Sequence, residues 1–133
     1  MTDAYAELYA RGKTTREATL DSSYIKSRNQ LSRYFGGDIE GTVTALVWGG
    51  IWSRPGLSLR DRSVVTVAVL AALGRLDALE QQLKGAIRNG CTAEELQEVI
   101  LQVGAYAGFP AAMTASQIAR GIFSTQVENV DPD

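Results

Sequence analysis

With 133 residues, the chain has the length of one domain that can bury a sizeable core. Its hydrophobic share of 45% and charged share of 21% are ordinary for a globular protein, and a net charge of −2 supplies no basic field for nucleic acid or an anionic membrane. One cysteine and no histidine exclude a disulfide framework, a cysteine-based metal cluster, Ser-His and Cys-His nucleophiles, and histidine-ligated zinc or iron.

The opening stretch MTDAYAELYARG lacks the apolar core of a secretory signal, and no apolar run is long enough to span a bilayer. With a lone cysteine this suits a cytoplasmic location. Tyr5, Leu8 and Tyr9 share a face at helical spacing, which predicts a short helix from Ala4 to about Ala10. That face would pack on the body or on a neighbouring subunit. Gly12 is expected to interrupt the helix and Thr15–Leu20 to resume it. Asp21, Ser22 and Ser23 offer caps for a segment anchored by Tyr24 and Ile25, and Gly36-Gly37 makes a break. Ile39, Val43, Leu46 and Val47 recur at i, i+4, i+7 and i+8, an apolar helical stripe ending near Trp48.

From Trp48 to Leu73 the sequence reads WGGIWSRPGLSLRDRSVVTVAVLAAL. It begins as an aromatic, glycine-rich turn, breaks at Pro55-Gly56, and becomes a helix with Ser58 as N-cap and Asp61 completing a capping box. Val64 to Leu73 is apolar except at Thr66, so this helix is expected to be buried on most sides. Arg60 and Arg62 fall in its first turn, where the helix dipole disfavours cations. They call for a compensating carboxylate, on protein or ligand. Trp48, Trp52, Arg54, Arg60 and Arg62 are expected to cluster at the mouth of the core.

A fourth helix carries the stripe Leu76, Leu79, Leu83, Ala86 and Ile87, closed by Gly90. Thr92 and Glu95 form a capping box for a fifth, with Leu96, Val99, Ile100 and Val103 inside. Gly108 ends it, and Pro110 starts a sixth whose inner face holds Ile118, Ile122 and Phe123. The tail Val127–Asp133 reads as frayed. No alternating strand pattern competes. The fold class is all-α, one domain over 1–133, with about six helices.

WGGIWSRPGL followed by RSVVTVAVL, together with NGCTAEELQEVILQVGAYAGFPAA at Asn89–Ala112, resembles the γ-carboxymuconolactone decarboxylases. The likeness is strong over about two thirds of the chain. It implies an alkylhydroperoxidase D-like helical bundle, and a homo-oligomer, commonly a hexamer built as a trimer of dimers. So many apolar helix faces on a small chain point the same way. The family places a Glu and a His four residues apart on the helix before its Asn-Gly turn; aligned on Asn89-Gly90, these positions are Ala78 and Gln82. Both proton-handling groups are replaced. Glu80 lies two residues from each, roughly 160–200° around the helix, and reads as a surface carboxylate. Alkylhydroperoxidase D-like relatives use C-x-x-C with a downstream histidine. Cys91 has neither partner, so thiol redox chemistry is rejected and Cys91 reads as a small hydrophobe.

The candidate site is accordingly Gln82, Arg62 and Tyr106 as catalytic groups, with Trp48, Trp52, Arg54 and Arg60 binding substrate, and no metal or covalent cofactor. Gln82 can orient a substrate or stabilise an enolate oxygen but cannot carry a proton. Tyr106 reads either as a core residue with a polar tip or as a hydroxyl aimed into the pocket. The tryptophans would form an apolar wall or simply core. Three functions stay open on the sequence. One is a cofactor-independent decarboxylase of a small carboxylated lactone or β-keto-acid-type substrate. The second is a scaffold reused for cyclisation, isomerisation or dehydration in natural-product biosynthesis. The third is a non-catalytic binding subunit.

Overall fold

The computed structural model describes residues 3–127. Among them are seven α-helices and no strand: α1 (Ala4–Thr19), α2 (Ser22–Leu31), α3 (Gly37–Thr42), α4 (Leu59–Leu73), α5 (Leu76–Arg88), α6 (Ala93–Ala107) and α7 (Phe109–Val127). α3 runs directly into a π-helical segment, Val43–Trp52. No described helix is long and apolar enough to cross a membrane. The chain divides between Leu59 and Arg60 into two compact units. The frayed tail expected beyond Val127 lies outside the described residues.

The N-terminal unit departs most from the sequence pattern. α1 is continuous through Gly12, where a break was expected. A Cβ built on Gly12 would lie 1.8 Å from the Thr44 carbonyl oxygen, and one on Gly49 would lie 2.0 Å from that of Leu8. These glycines let α1 and the π-helical segment meet backbone to backbone, so they are contacts and not breakers. The expected glycine-rich turn at Trp48–Trp52 is likewise helical, because Gly49 is needed inside the packed face. The stripe also inverts. Thr44, Ala45, Trp48, Gly49 and Trp52 are buried, whereas Ile39, Val43, Leu46, Val47 and Ile51 are exposed. Close backbone approach at Gly49 fixes which face of the segment turns inward, and that face carries Thr44, Ala45, Trp48 and Trp52 with it. Leu20, Ile25, Trp48 and Trp52 form the apolar core of this unit, with Tyr24 and Leu59 against it.

An ion network, buried at Arg16 and half-exposed at Arg28, ties the same unit together. Glu40 accepts from Arg16 at 3.1 Å through one oxygen and from Arg28 Nε at 2.9 Å through the other. Its hydrogen bond to Glu40 holds the Arg28 guanidinium above its ordinary pKa. Arg28 also lies 5.9 Å over the Tyr24 ring.

The C-terminal unit follows its pattern closely. Leu79, Leu83, Ala86, Leu96, Ile100 and Val103 are buried in one core with Val67, Ala71, Cys91, Ala112 and Ala115. Ile118, Ile122 and Phe123 pack against it. The Thr92–Glu95 capping box is present in both directions. Gly74, Gly90 and Gly108 take positive φ at the three helix ends. α7 begins at Phe109, one residue before the expected Pro110. α4 is the exception: Ser63, Val67 and Ala71 are buried, while Val65, Val69 and Leu73 stand exposed on the opposite side. The single chain covers one face of this helix, not most of it.

Candidate functional site

In the N-terminal unit the tryptophans meet each other first. Four residues apart on the π-helical segment, Trp48 and Trp52 bring their ring centroids to 4.7 Å at 31°. Both rings are buried, so core packing accounts for Trp48, and Trp52 continues from the core into an open cleft. That cleft, about 610 Å³, is lined by Arg11, Thr14, Thr15, Trp52, Ser53 and Arg54, with Pro55, Leu57, Ser58 and Leu59. Ser53 ends the π-helical segment by donating from Oγ to the Trp48 carbonyl at 2.8 Å. Thr15 Oγ1 lies 2.8 Å from Ser53 Oγ and also within reach, at 3.2 Å, of the Arg11 carbonyl as a donor. Thr14 donates to the Ala10 carbonyl at 3.3 Å. Each of these three hydroxyls is thus engaged in a hydrogen bond within the N-terminal unit. Arg11, Thr14 and Thr15 were not singled out from the sequence. Their only local signal was a polar helix surface.

In the C-terminal unit the first turn of α4 is fastened to the turn before α6. Asn89 Nδ2 donates to Ser63 Oγ at 3.0 Å, and Ser63 is fully buried. Cys91 Sγ is 3.9 Å from the Arg60 carbonyl oxygen. Arg60 pairs with the carboxylates of Glu95 and Asp61, the latter at 3.5 Å. The carboxylate demanded by a cation in the first helical turn is thus on the protein, at Glu95. Burial pushes the Cys91 thiol up, an effect that Arg60 opposes, and the residue behaves as part of the core.

Arg62 and Gln82 each seal a polar atom from solvent, Nε and Oε1 respectively. Gln82 Oε1 has no hydrogen-bond partner. It sits on α5 beside the apolar face of Leu79, Leu83 and Ala86, where an unmatched amide carbonyl costs about 1–3 kcal/mol. Ala78, four residues earlier, is exposed. Glu80 is at the surface, 3.9 Å from Lys84, as its helical phase predicts. Tyr106 is 86% exposed, which overturns the reading that buries its ring in the core. Among the described residues, no group of three or more Cys, Asp or Glu side chains converges where a metal could sit.

The sequence compares with known proteins as follows. The model of the carboxymuconolactone decarboxylase family matches residues 38–121. A 4-carboxymuconolactone decarboxylase of Acinetobacter baylyi is 38% identical over 115 residues, 86% of this chain and 86% of that protein. A nitrosuccinic acid decarboxylase of Metarhizium robertsii is 26% identical over 126 residues, 95% of this chain and 88% of the other. An uncharacterised 15.0 kDa protein of Paracoccus denitrificans is 28% identical over 83 residues, covering 61% of this chain and 62% of that one.

Proposed function

Since the chain belongs to the carboxymuconolactone decarboxylase family, we propose that it is a cofactor-independent decarboxylase of a small carboxylated lactone or β-keto-acid-type substrate. Relatives named for two different acids, one a carboxylated lactone and one a nitro acid, support decarboxylation as the shared chemistry. In each, CO₂ leaves as a C–C bond breaks, and its electron pair moves onto an acceptor already in the substrate. Such a reaction needs a stabiliser for the resulting oxyanion more than it needs a proton shuttle. Replacement of the family Glu and His by Ala78 and Gln82 is compatible with that demand.

The observation that carries this reading is the family match over residues 38–121 together with the 38% identical decarboxylase. Gln82, whose amide can donate or accept a hydrogen bond without changing charge, is the residue proposed to stabilise the enolate oxygen. Arg54, on the open cleft, is the carboxylate-binding arginine of this proposal. Arg60, which pairs with Glu95 and Asp61, is the second arginine of the proposal. Arg62 supplies positive charge in the C-terminal unit, and Tyr106 or water returns a proton to carbon. Trp52 forms an apolar wall, with Trp48 holding it in place.

Gln82→Leu tests the assignment with two readouts. Turnover should fall by roughly 10²-fold, about 2.7 kcal/mol of transition-state stabilisation. Stability should rise by about 1 kcal/mol, because the unmatched carbonyl is gone. A variant with unchanged CO₂ release would remove Gln82 from the chemistry.

The same loss of the Glu/His pair supports a second reading, a cyclase or isomerase on this scaffold, which CO₂ measurement separates from the first. Residues 1–133 act in this proposal as one family domain, located in the cytoplasm. The assembly is a homo-oligomer, a hexamer by likeness to the family. The exposed Val65, Val69 and Leu73 of α4, together with Leu46, Val47 and Ile51, support it. Light scattering that returned a monomer at micromolar concentration would defeat it.

A further inference from the structure

We propose that α2 is a docking face for α6 of a second copy of this chain, with Lys26 and Arg33 as the cations that select it. The inference rests on the homo-oligomer reading only for the presence of a partner copy; the choice of faces comes from α2 and α6 themselves. Of the ten residues of α2, Ile25 alone is buried. A helix that its own chain covers so little has most of its surface left for a partner. From Ser22 to Gly37 the chain carries Lys26, Arg28 and Arg33 and no acidic residue. In a chain whose acidic residues outnumber its basic ones, 15 to 13, this is a local reversal of sign. Arg28 is engaged by Glu40, but Lys26 and Arg33 make no ion pair with a described residue. With Asn29 and Gln30 they line a groove of about 420 Å³ whose only acid is Glu17. Beside it Leu31, Tyr34 and Phe35 stand exposed, the two aromatics at 89% and 86%.

The outer face of α6 has the opposite character. This helix carries Glu94, Glu95 and Glu98 and no cation. Glu95 is engaged by Arg60 and by the Thr92 backbone. Glu94 and Glu98 are exposed, one turn apart, and make no ion pair with a described residue. Leu101 continues their face, half-exposed, and Tyr106 is exposed further along. Lys26, Asn29, Gln30 and Arg33 recur at i, i+3, i+4 and i+7, and so do Glu94, Gln97, Glu98 and Leu101. Two cations thus have two carboxylates to meet, and the amides between them can pair with one another. Both faces belong to one chain and occur in equal number, so self-association satisfies both. A foreign acidic partner would cover α2 and leave α6 bare.

The test uses the full chain, followed by light scattering through a dilution series, with far-UV circular dichroism to confirm the fold. Lys26→Glu combined with Arg33→Glu should raise the concentration at which the assembly dissociates by at least about tenfold. Glu94→Lys combined with Glu98→Lys should do the same. A chain carrying all four substitutions exchanges the two signs, and it should return to within about threefold of the unaltered protein. Unchanged dissociation in either double variant would overturn the docking proposal and leave the homo-oligomer reading intact. So would failure of the fourfold variant to recover with its fold intact, because the losses would then not come from opposite charges meeting. An unaltered protein that is monomeric throughout the series would overturn the homo-oligomer reading and this interface together.

Discussion

Around Gly12 and Gly49, α1 meets the π-helical segment backbone to backbone, whereas α5 meets its neighbours through the side chains of Leu79 and Leu83. The first arrangement tolerates no added atom, because the neighbouring group is main chain and cannot change rotamer. The second tolerates removal of atoms poorly, because an unfilled volume remains. Each unit is therefore vulnerable to the opposite kind of substitution: enlargement in the N-terminal unit, truncation in the C-terminal one.

The largest expected effect follows from the first. Gly12→Ala places a methyl group 1.8 Å from the Thr44 carbonyl oxygen and 2.6 Å from the Gly49 nitrogen. The helix and the π-helical segment must separate, at a cost above about 3 kcal/mol, beyond the usual range for one added methyl group. Chemical denaturation should show this; a loss below about 1 kcal/mol would mean that the two backbones do not pack as described. Leu83→Ala is the reciprocal probe in the C-terminal unit. It should cost about 3 kcal/mol, and Leu83→Met much less, since volume is conserved. Equal losses for both variants would contradict a close-packed core there.

The ease of reading the two units differs for the same reason. In the C-terminal unit the determinants are local or periodic. Thr92 and Glu95 are three residues apart, Gly90 and Gly108 mark their own helix ends, and the leucine stripe states its own direction. In the N-terminal unit, glycine has two opposite meanings that one sequence cannot separate: a break, as at Gly36, or a close approach, as at Gly12. Taking the larger apolar residues as the inward face therefore inverted the stripe at Ile39–Val47. The Arg16–Glu40–Arg28 network escaped notice because it joins three separate helical segments. For the candidate site, helix-dipole reasoning correctly demanded a carboxylate for Arg60, but identifying it as Glu95 required the fold. Gln82 was legible only through the family resemblance, and its unmatched carbonyl only in three dimensions.

The smallest expected effect concerns Cys91. Burial raises its thiol above the ordinary value of 9.0, while an unfolded chain ionises it near that value. The neutral buried thiol thus contributes stability that is fully present below pH 9 and is lost as pH rises further. Cys91→Ala should lower stability at neutral pH but flatten the decline on the alkaline side. Parallel curves for the two proteins above pH 9 would show that the thiol does not titrate on unfolding.

Glu95 serves two helices at once. Its carboxylate caps α6 by accepting from the Thr92 backbone at 3.1 Å, and it supplies the counter-charge for Arg60 at the start of α4. Whenever the first turn of α6 frays, Arg60 in the first turn of α4 keeps only its longer pairing with Asp61 against the dipole that repels it. Fraying at either helix start thereby lowers the free energy of fraying at the other. Two turns far apart along the chain become one cooperative unit of local opening, coupled through a single side chain and not through the core beneath them.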